Sequence, residues 1–333
     1  MQILDKKFLT YDQLIELLRN RGLIINDEKR AKLIIASVSY YDLVNGYKEI
    51  YCQPDSVYEL FEEGTTIEDV YSFHLLNTGV QNVLFKYSMY VENTFKNALA
   101  YVISKNISED EFYYLSESFY QRKRGIYKKT KRTLNTLNKL CDPNNKKVEN
   151  PTRFYIDNHN HIPPWILFKN ATFSTCIDLF SCLRTRDKRE VVENLISIEI
   201  NEDYRNDFVM DALTTIRKFR NAIAHNLKFV TLRISKQQRL SFSQLIPEFG
   251  GTLINVSKDS GAQRGIGDPY SMILSLISLL LDKKLVESLF YDLSHQFKDI
   301  SDSNAYSRYC TITGIPEDIL QRGVMYIDKI KNG

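Results

Sequence analysis

The residues best suited to chemistry are an arginine and a histidine whose numbers differ by five, Arg220 and His225. A histidine titrates near neutral pH, so it could take the proton from an RNA 2′-hydroxyl group. An arginine keeps a fixed positive charge, which could stabilise the negative charge of a pentacovalent phosphate. This pair would therefore support phosphodiester cleavage without a metal ion or any other cofactor.

The segment from Asp207 to Leu227 is predicted to be an amphipathic helix that turns His225 away from its buried side. Its apolar residues recur at intervals of three and four, at Phe208, Ala212, Ile216, Phe219, Ile223 and Leu227. At about 100° per residue, His225 falls about 150° from the centre of this stripe and Arg220 about 70° from it. Asn221 shares a face with His225 and is the third candidate catalytic residue. Arg220 and His225 diverge by about 140°, so one helix alone brings them together poorly.

The spacing of the pair is weak support when taken by itself. Arg153 and His159 have nearly the same spacing. A solvated or partner-facing helix end therefore remains the alternative interpretation of Arg220 and His225.

Positive charge is concentrated between residues 121 and 132, although the formal charge of the whole chain is only +3. The candidate RNA-binding residues in this basic run are Arg122, Lys123, Arg124, Lys128, Lys129, Lys131 and Arg132. Arg217 and Lys218, one turn before Arg220, are added because they could steer an RNA backbone. The alternative is a solvated helix face, which is what most charge runs are.

Neither the cysteines nor the remaining histidines predict a metal site. The five cysteines are scattered and include no CxxC pair, a usage that favours a reducing cytoplasm. His159 and His161 have the spacing of a ligand pair but lack an apparent third ligand. His74 adjoins Phe73 and is expected to be hydrogen-bonded inside a helical bundle.

Helical periodicity dominates the chain, which predicts a mainly α fold with four segments. Residues 1–64 form an N-terminal helical unit, and residues 65–228 a helical core with a basic insertion at about 105–150. Residues 229–270, rich in β-branched residues and glycine, are expected to form a short β insertion. Residues 271–333 are expected to form C-terminal helices that pack on the core.

No stretch of the sequence predicts export or membrane insertion. Residues 1–7 have no apolar run suited to a signal peptide. The apolar run from Met272 to Leu281 has about half of the roughly 20 residues that a membrane span needs. We interpret it as a buried helix and expect a cytoplasmic protein without a membrane partner.

Several short motifs resemble known families. The segment Arg220-Asn221-Ala222-Ile223-Ala224-His225 at a helix end resembles the signature of HEPN ribonucleases. Motifs similar to those of the Abi-like abortive-infection family, which includes AbiD and AbiF, are spread over the chain. They are Phe8 to Leu14, Arg21 to Ile25, Tyr40-Tyr41 with Gly46-Tyr47, Pro163 to Ile166 with Phe173-Ser174, and Thr313 to Asp318.

The resemblance implies a HEPN-type helical bundle that defends against phage by metal-independent RNA cleavage. It implies an active site formed where two Arg-His motifs meet, and hence a homodimer, because this chain has one credible motif. It also makes a resting partner plausible, either a small antitoxin RNA or a protein, that holds a toxin-like endoribonuclease silent. The competing hypothesis is a non-catalytic RNA-binding or scaffold protein that retains the bundle.

The sequence departs from the family pattern at three places. Asn226 stands where many members have a second histidine, which puts only a secondary role in doubt. His74 stands near a usual aspartate. Glu92 and Lys96 occupy the place of a glutamate and an arginine one turn apart. We interpret them most simply as an ion pair on the helix surface, and the alternative is that they support the active site.

Overall fold

Helices account for nearly all the regular structure in the computed structural model, which describes residues 8–54, 59–196, 198, 200–298, 300 and 304–332. The α-helices are α1 (Tyr11–Asn20), α2 (Glu28–Val38), α3 (Lys48–Tyr51), α4 (Ile67–Asn106), α5 (Glu111–Tyr114), α6 (Arg124–Cys141), α7 (Thr152–Asn158), α8 (Pro164–Asn170), α9 (Phe173–Cys182), α10 (Thr185–Glu193), α11 (Glu202–Ala224), α12 (Phe242–Phe249), α13 (Val256–Asp259), α14 (Pro269–Leu279), α15 (Lys283–Phe297), α16 (Asn304–Thr313) and α17 (Ile319–Asn332). The structure also has a π-helix at Tyr41–Asn45 and a 3-10 helix at Glu117–Phe119. The mainly α prediction is confirmed, whereas residues 1–7, judged to lack a signal peptide, lie outside the described residues.

Capping side chains fix the starts of the first two helices. Thr10 and the Gln13 side chain form a reciprocal capping box at α1. Asp27 caps α2 by accepting the backbone N–H of Arg30 at 3.0 Å. Gly22, with a φ of +85°, follows α1 in the left-handed conformation that glycine adopts without steric strain.

The chain divides into two compact units, and each contains two chain segments. One unit comprises Met1–Asn82 and Asp292–Glu317, and the other comprises Val83–Tyr291 and Asp318–Gly333. The long helix α4 contributes residues to both.

Aromatic packing around Phe73 joins the two segments of the first unit. The Phe73 ring meets those of Tyr47, Tyr51 and Tyr309 edge to face, at centroid distances of 5.0, 5.7 and 5.5 Å. Arg308 donates hydrogen bonds to the Ile50 carbonyl at 2.9 Å and to Glu62 at 2.5 Å. The segment after residue 291 therefore completes the core of the N-terminal segment.

The second unit is a helical bundle in which α11 packs against α9, α10 and α14. Every residue of α14 is buried, as predicted for this apolar run, although the helix ends at Leu279 and Leu281 is exposed. Its buried hydroxyl groups are satisfied locally, because Ser275 and Ser278 donate to the carbonyls of Ser271 and Leu274, each at 2.7 Å. No helix in the described part of the chain combines the length and apolar character needed to cross a bilayer.

The predicted short β insertion is not present in residues 229–270, all of which are described. The structure has α12, α13 and turns there, with one isolated bridge between Gly250 and Ile254. The β-branched run Val230–Ile234 has no strand beside it. Instead, the N–H of Ile234 donates to the carbonyl of Gly267 at 2.7 Å, and Arg233 donates to the carbonyl of Val230 at 3.1 Å. Strand propensity depends on a partner strand, and these local bonds replace one.

Candidate functional site

The helix that carries the candidate pair ends just before the histidine. Helix α11 stops at Ala224, and His225 is its C-cap residue, with φ and ψ of −104° and 13°. Asn226 follows in the left-handed conformation with a φ of 49°. The N–H of Leu227 donates to the Ala222 carbonyl at 2.8 Å, and that of Asn226 to the Ile223 carbonyl at 3.1 Å. This pattern is a Schellman motif, which turns the chain away from the helix axis.

The position of this helix end contradicts the predicted burial of Leu227 and agrees with the predicted exposure of His225. Leu227, predicted on the buried stripe, is 60% exposed, because the chain has already left the helix. The signal for this end was Asn226, since asparagine is one of the few residues that readily follow a helix in the left-handed conformation. His225 is exposed, as predicted, but at a helix terminus rather than on a helix face.

Four side chains around Arg220 fix the position of its guanidinium group. Its Nη2 donates to Oε2 of Glu92 at 3.2 Å, and its Nη1 to Oδ1 of Asn221 at 3.2 Å. The guanidinium carbon lies 5.7 Å from the ring centroid of Phe85, and Nη2 lies 3.9 Å from Sδ of Met89. The side chain keeps 25% exposure. Arg220 is thus held in one orientation while part of it remains accessible to an anion.

The acid that holds Arg220 also binds a lysine one turn along α4. Oε1 of Glu92 lies 2.8 Å from Nζ of Lys96, which donates to the Ala171 carbonyl at 2.7 Å. The exposed fractions of the Glu92 and Lys96 side chains are only 8% and 12%. The interpretation of this pair as a surface ion pair is therefore wrong. Two cations share one carboxylate, so the cluster keeps a net positive charge.

Sequence reasoning did not connect Glu92 with Arg220, although α4 carried a usable signal. Glu92 follows Ser88 by one turn and immediately follows Val91, and both of those residues are buried. A carboxylate at the margin of an apolar helix face requires a buried cation as its partner. Lys96, one turn along α4, is one partner of Glu92. The sequence does not show that Arg220 is the other, because Arg220 is distant from Glu92 along the chain. The described hydrogen bonds include none between the side chains of Arg220 and His225.

The two groups of candidate RNA-binding residues both contact α9. Lys129 of α6 pairs with Asp178 at 2.8 Å, and Arg217 of α11 donates to Oγ of Ser174 at 3.4 Å. Ser174 and Asp178 lie one turn apart on α9, so α9 connects the basic helix with the helix of Arg220. Most other members of the basic run are exposed: Arg122, Lys123, Arg124, Lys128, Lys131 and Arg132.

Lys218 differs from these exposed cations. Its Nζ donates to Oε1 of Gln238 at 2.6 Å. Partial burial lowers the pKa of the Lys218 ammonium group, and the nearby charge of Arg217 lowers it further. Lys218 therefore has a structural partner within the chain, which weakens its assignment as a free phosphate ligand.

The remaining histidines have local partners. Nδ1 of His74 lies 3.0 Å from the Tyr47 hydroxyl, and burial lowers the pKa of His74, in keeping with a histidine inside the bundle. The His159 ring stacks on Tyr155 with centroids 4.3 Å apart, and Nδ1 of His161 lies 2.9 Å from Oδ1 of Asn160. Within the described residues, no three histidine, cysteine or acidic side chains are grouped as metal ligands would be.

Comparison with known proteins supports one family. Residues 33–230, more than half of the chain, match the family described as Abi-like protein. This stretch contains Glu92, Lys96, Arg220 and His225. No curated protein and no solved structure matches the chain.

Proposed function

The chain belongs to the family of Abi-like proteins, which indicates a function related to abortive infection, and on that premise we propose that it is a metal-independent endoribonuclease of the HEPN type. In this proposal it acts as a toxin in defence against phage. A small RNA or a protein partner holds it inactive before infection. Arg220 and His225 carry the reaction, and Asn221 positions Arg220.

The observation that carries the proposal is that a fixed cation, Arg220, and an exposed histidine, His225, lie near the same end of one helix. Glu92 and Asn221 orient Arg220 without covering it. His225 lies just beyond α11, where its imidazole group is accessible. A preorganised positive charge stabilises a developing anion more effectively than a mobile one, because no reorganisation accompanies the reaction.

The proposed reaction needs only groups of the protein and the RNA. His225 takes the proton of a 2′-hydroxyl group, and the oxygen attacks the adjacent phosphorus. Arg220 stabilises the pentacovalent phosphate. The bond to the 5′-oxygen then breaks, and a protonated histidine supplies the proton of the leaving group. The products are a 2′,3′-cyclic phosphate and a 5′-hydroxyl end.

A homodimer completes this proposal, because one proton is removed and another is donated. Two copies of His225, one from each protomer, would divide these roles. Two large exposed apolar side chains lie close to the motif, one in sequence and one by contact. They are Leu227 at 60% exposure and Met89, which contacts Arg220, at 36%. Such side chains suit a contact with a second copy.

A cleavage assay in excess chelator tests the proposal. Wild-type protein should cut a labelled single-stranded RNA, and Arg220→Ala or His225→Ala should each reduce the rate by at least about a hundredfold. His161→Ala is the matched control, since His161 contacts Asn160 and not the motif. Circular dichroism must show that each variant is folded. Unchanged cleavage in both motif variants would contradict the proposal.

The second candidate is a non-catalytic RNA-binding or scaffold protein, and the exposed basic run is the observation that favours it. In that case purified wild-type protein would bind RNA without cutting it, and His225→Ala would change neither property. A ratio of absorbance at 260 and 280 nm above that of protein alone would reveal RNA retained through purification. Under either candidate function, RNA retained in this way would be a stable partner of the resting protein.

A further inference from the structure

A cavity of about 550 Å³ lies at the start of α10, next to the segment that leads into α6. Two hydrogen bonds from Gln121 hold these segments together: its N–H donates to the Cys182 carbonyl at 2.9 Å, and its Nε2 to the Leu183 carbonyl at 2.6 Å. Arg184 adds a bond to the Ser118 carbonyl at 2.6 Å. The cavity is lined by Tyr120, Gln121, Arg122, Lys123, Arg184 and Thr185.

The lining carries three cations and no carboxylate. Arg122 and Lys123 are exposed, and neither side chain forms a hydrogen bond or ion pair with another described residue. Arg184 uses only Nη2 for its bond to Ser118, which leaves its other donors available. Mutual repulsion of unpaired cations is unfavourable, so a cavity built in this way is suited to an anion.

A fourth cation lies one turn into α10. Lys188 is half-buried, and burial lowers the pKa of its ammonium group. Cys182 and Asp207 act in the opposite direction, and the charges of Lys129 and Lys123 lower this pKa further.

Three acidic groups lie near this region, and none of them lines the cavity. Asp178 pairs with Lys129, and the Asp187 carboxylate accepts a hydrogen bond from Asn106 at 3.0 Å. The negative charge of Glu117 raises the pKa of the Tyr127 hydroxyl.

We propose that this cavity is a phosphate-binding pocket in which Arg122, Lys123 and Arg184 hold a phosphate group of an RNA strand. Guanidinium groups bind phosphate oxygens in a bidentate manner, and ammonium groups add point charges. The first turn of α10 has no side-chain cap, so its N–H groups reinforce the same preference. The identity of the strand as RNA rests on the proposed ribonuclease function.

The size and place of the cavity favour a nucleotide of a longer strand over a free ion. A volume of about 550 Å³ falls within the range of pockets that enclose small organic molecules and exceeds what one phosphate ion needs. Lys123 lines the cavity and is also the N-cap residue of α6, so the pocket is continuous with the basic run. A strand anchored here would extend along the exposed cations of that helix.

Fluorescence anisotropy with short 2′-O-methyl RNA tests the pocket in the whole protein, because this RNA binds but cannot be cut through a 2′-hydroxyl group. Two probes are used, one with a 5′-phosphate and one with a 5′-hydroxyl end. Lys123→Gln should raise Kd at least about fivefold. It should also reduce the slope of log Kd against the logarithm of salt concentration by about one. Lys146→Gln, which removes the same charge from an exposed position outside the basic run, is the matched control and should change Kd less than about twofold.

The two probes separate the possible sources of the phosphate. If the 5′-phosphate probe binds more tightly and Lys123→Gln removes this advantage, the pocket binds the phosphate of a strand terminus. If both probes bind equally and lose the same affinity in Lys123→Gln, the pocket binds a backbone phosphate. Equal losses in Lys123→Gln and Lys146→Gln, or none in Lys123→Gln, would overturn the proposal in favour of general charge attraction.

The outcome is independent of catalysis. If the wild-type protein cuts RNA but Lys123→Gln binds as the control does, the pocket proposal fails and the ribonuclease proposal stands. If the pocket binds the probes but no RNA is cut, the reverse holds.

Discussion

Glu92 determines where the Arg220 guanidinium group points. One oxygen of its carboxylate accepts a hydrogen bond from Arg220 and the other contacts Lys96, and only 8% of its side chain is exposed. An ion pair that is mostly buried is sensitive to the loss of one partner, because the remaining charge is left without compensation.

We therefore predict that Glu92→Gln weakens both cleavage and stability. Cleavage should fall on the order of tenfold to a hundredfold, since the guanidinium group loses its fixed orientation. The free energy of unfolding in urea should fall by about 2 kcal/mol, a typical value for a lost hydrogen bond between charged groups. Glu193→Gln is the control, because Glu193 is exposed. Wild-type cleavage by Glu92→Gln would show that Glu92 does not position Arg220.

A second residue-scale prediction concerns pH. Burial, followed by the negative charge of Asp207, raises the pKa of Asp211 on α11 to about 6. Because the folded-state pKa lies above the ordinary value of 3.8, folding favours the protonated acid. The stabilising effect is complete below about pH 4 and is lost as the pH rises through 6.

Asp211→Asn, which does not titrate, should therefore unfold at a higher urea concentration than the wild-type protein at pH 7.5. The difference should shrink as the pH falls and vanish near pH 4. Chemical denaturation at several pH values measures this. Asp203→Asn at the exposed first turn of the same helix should show no such dependence. A constant difference across this pH range would contradict the role given to Asp211.

At the scale of the element, the end of α11 places His225. Asn226 has a φ of 49°, a region that asparagine and glycine tolerate but β-branched residues resist by roughly 1–2 kcal/mol. Asn226→Gly should preserve both stability and cleavage. Asn226→Val should lower the free energy of unfolding by about that amount and reduce cleavage, because it disturbs the turn that carries His225. Equal cleavage by the two variants would mean that the Schellman turn does not position the histidine.

Local signals make helix starts easier to infer from the sequence than the end of α11 or the structure of the segment after it. Thr10, Asp27 and the Thr66–Asp69 pair lie next to the backbone groups that they cap, so their roles can be inferred from sequence. The helical period was instead extended through Leu227, past the turn at Asn226. The β-branched residues after Phe229 favoured a strand, but a strand requires a partner, which propensity does not supply.

At the scale of the molecule, the proposed active site requires two protomers. The chain has a mass of 38.9 kDa, and we predict a solution mass of twice that value. Leu227→Asp should produce monomers and abolish cleavage, because a charge replaces an exposed apolar side chain beside His225. Leu33→Asp is the control, since Leu33 is 64% exposed and lies in the other unit. Light scattering measures the mass, and a monomer that still cuts RNA would exclude the shared site.

Contacts between residues distant in sequence were the part of the structure that sequence could not supply. Nothing around Glu62 predicts that Arg308 binds it, and nothing around Arg220 predicts Glu92 as its partner. The buried residues beside Glu92 indicate that it needs a partner but not which residue that partner is. Both pairings depend on how the chain folds back on itself.

The two-segment composition of the first unit also has a consequence for synthesis of the chain. Met1–Asn82 emerges from the ribosome before Asp292–Glu317, which supplies Tyr309 to the aromatic core. At about 10 residues per second, the N-terminal segment waits roughly 20 s for that partner. The core of this unit is thus completed well after its first segment has been made.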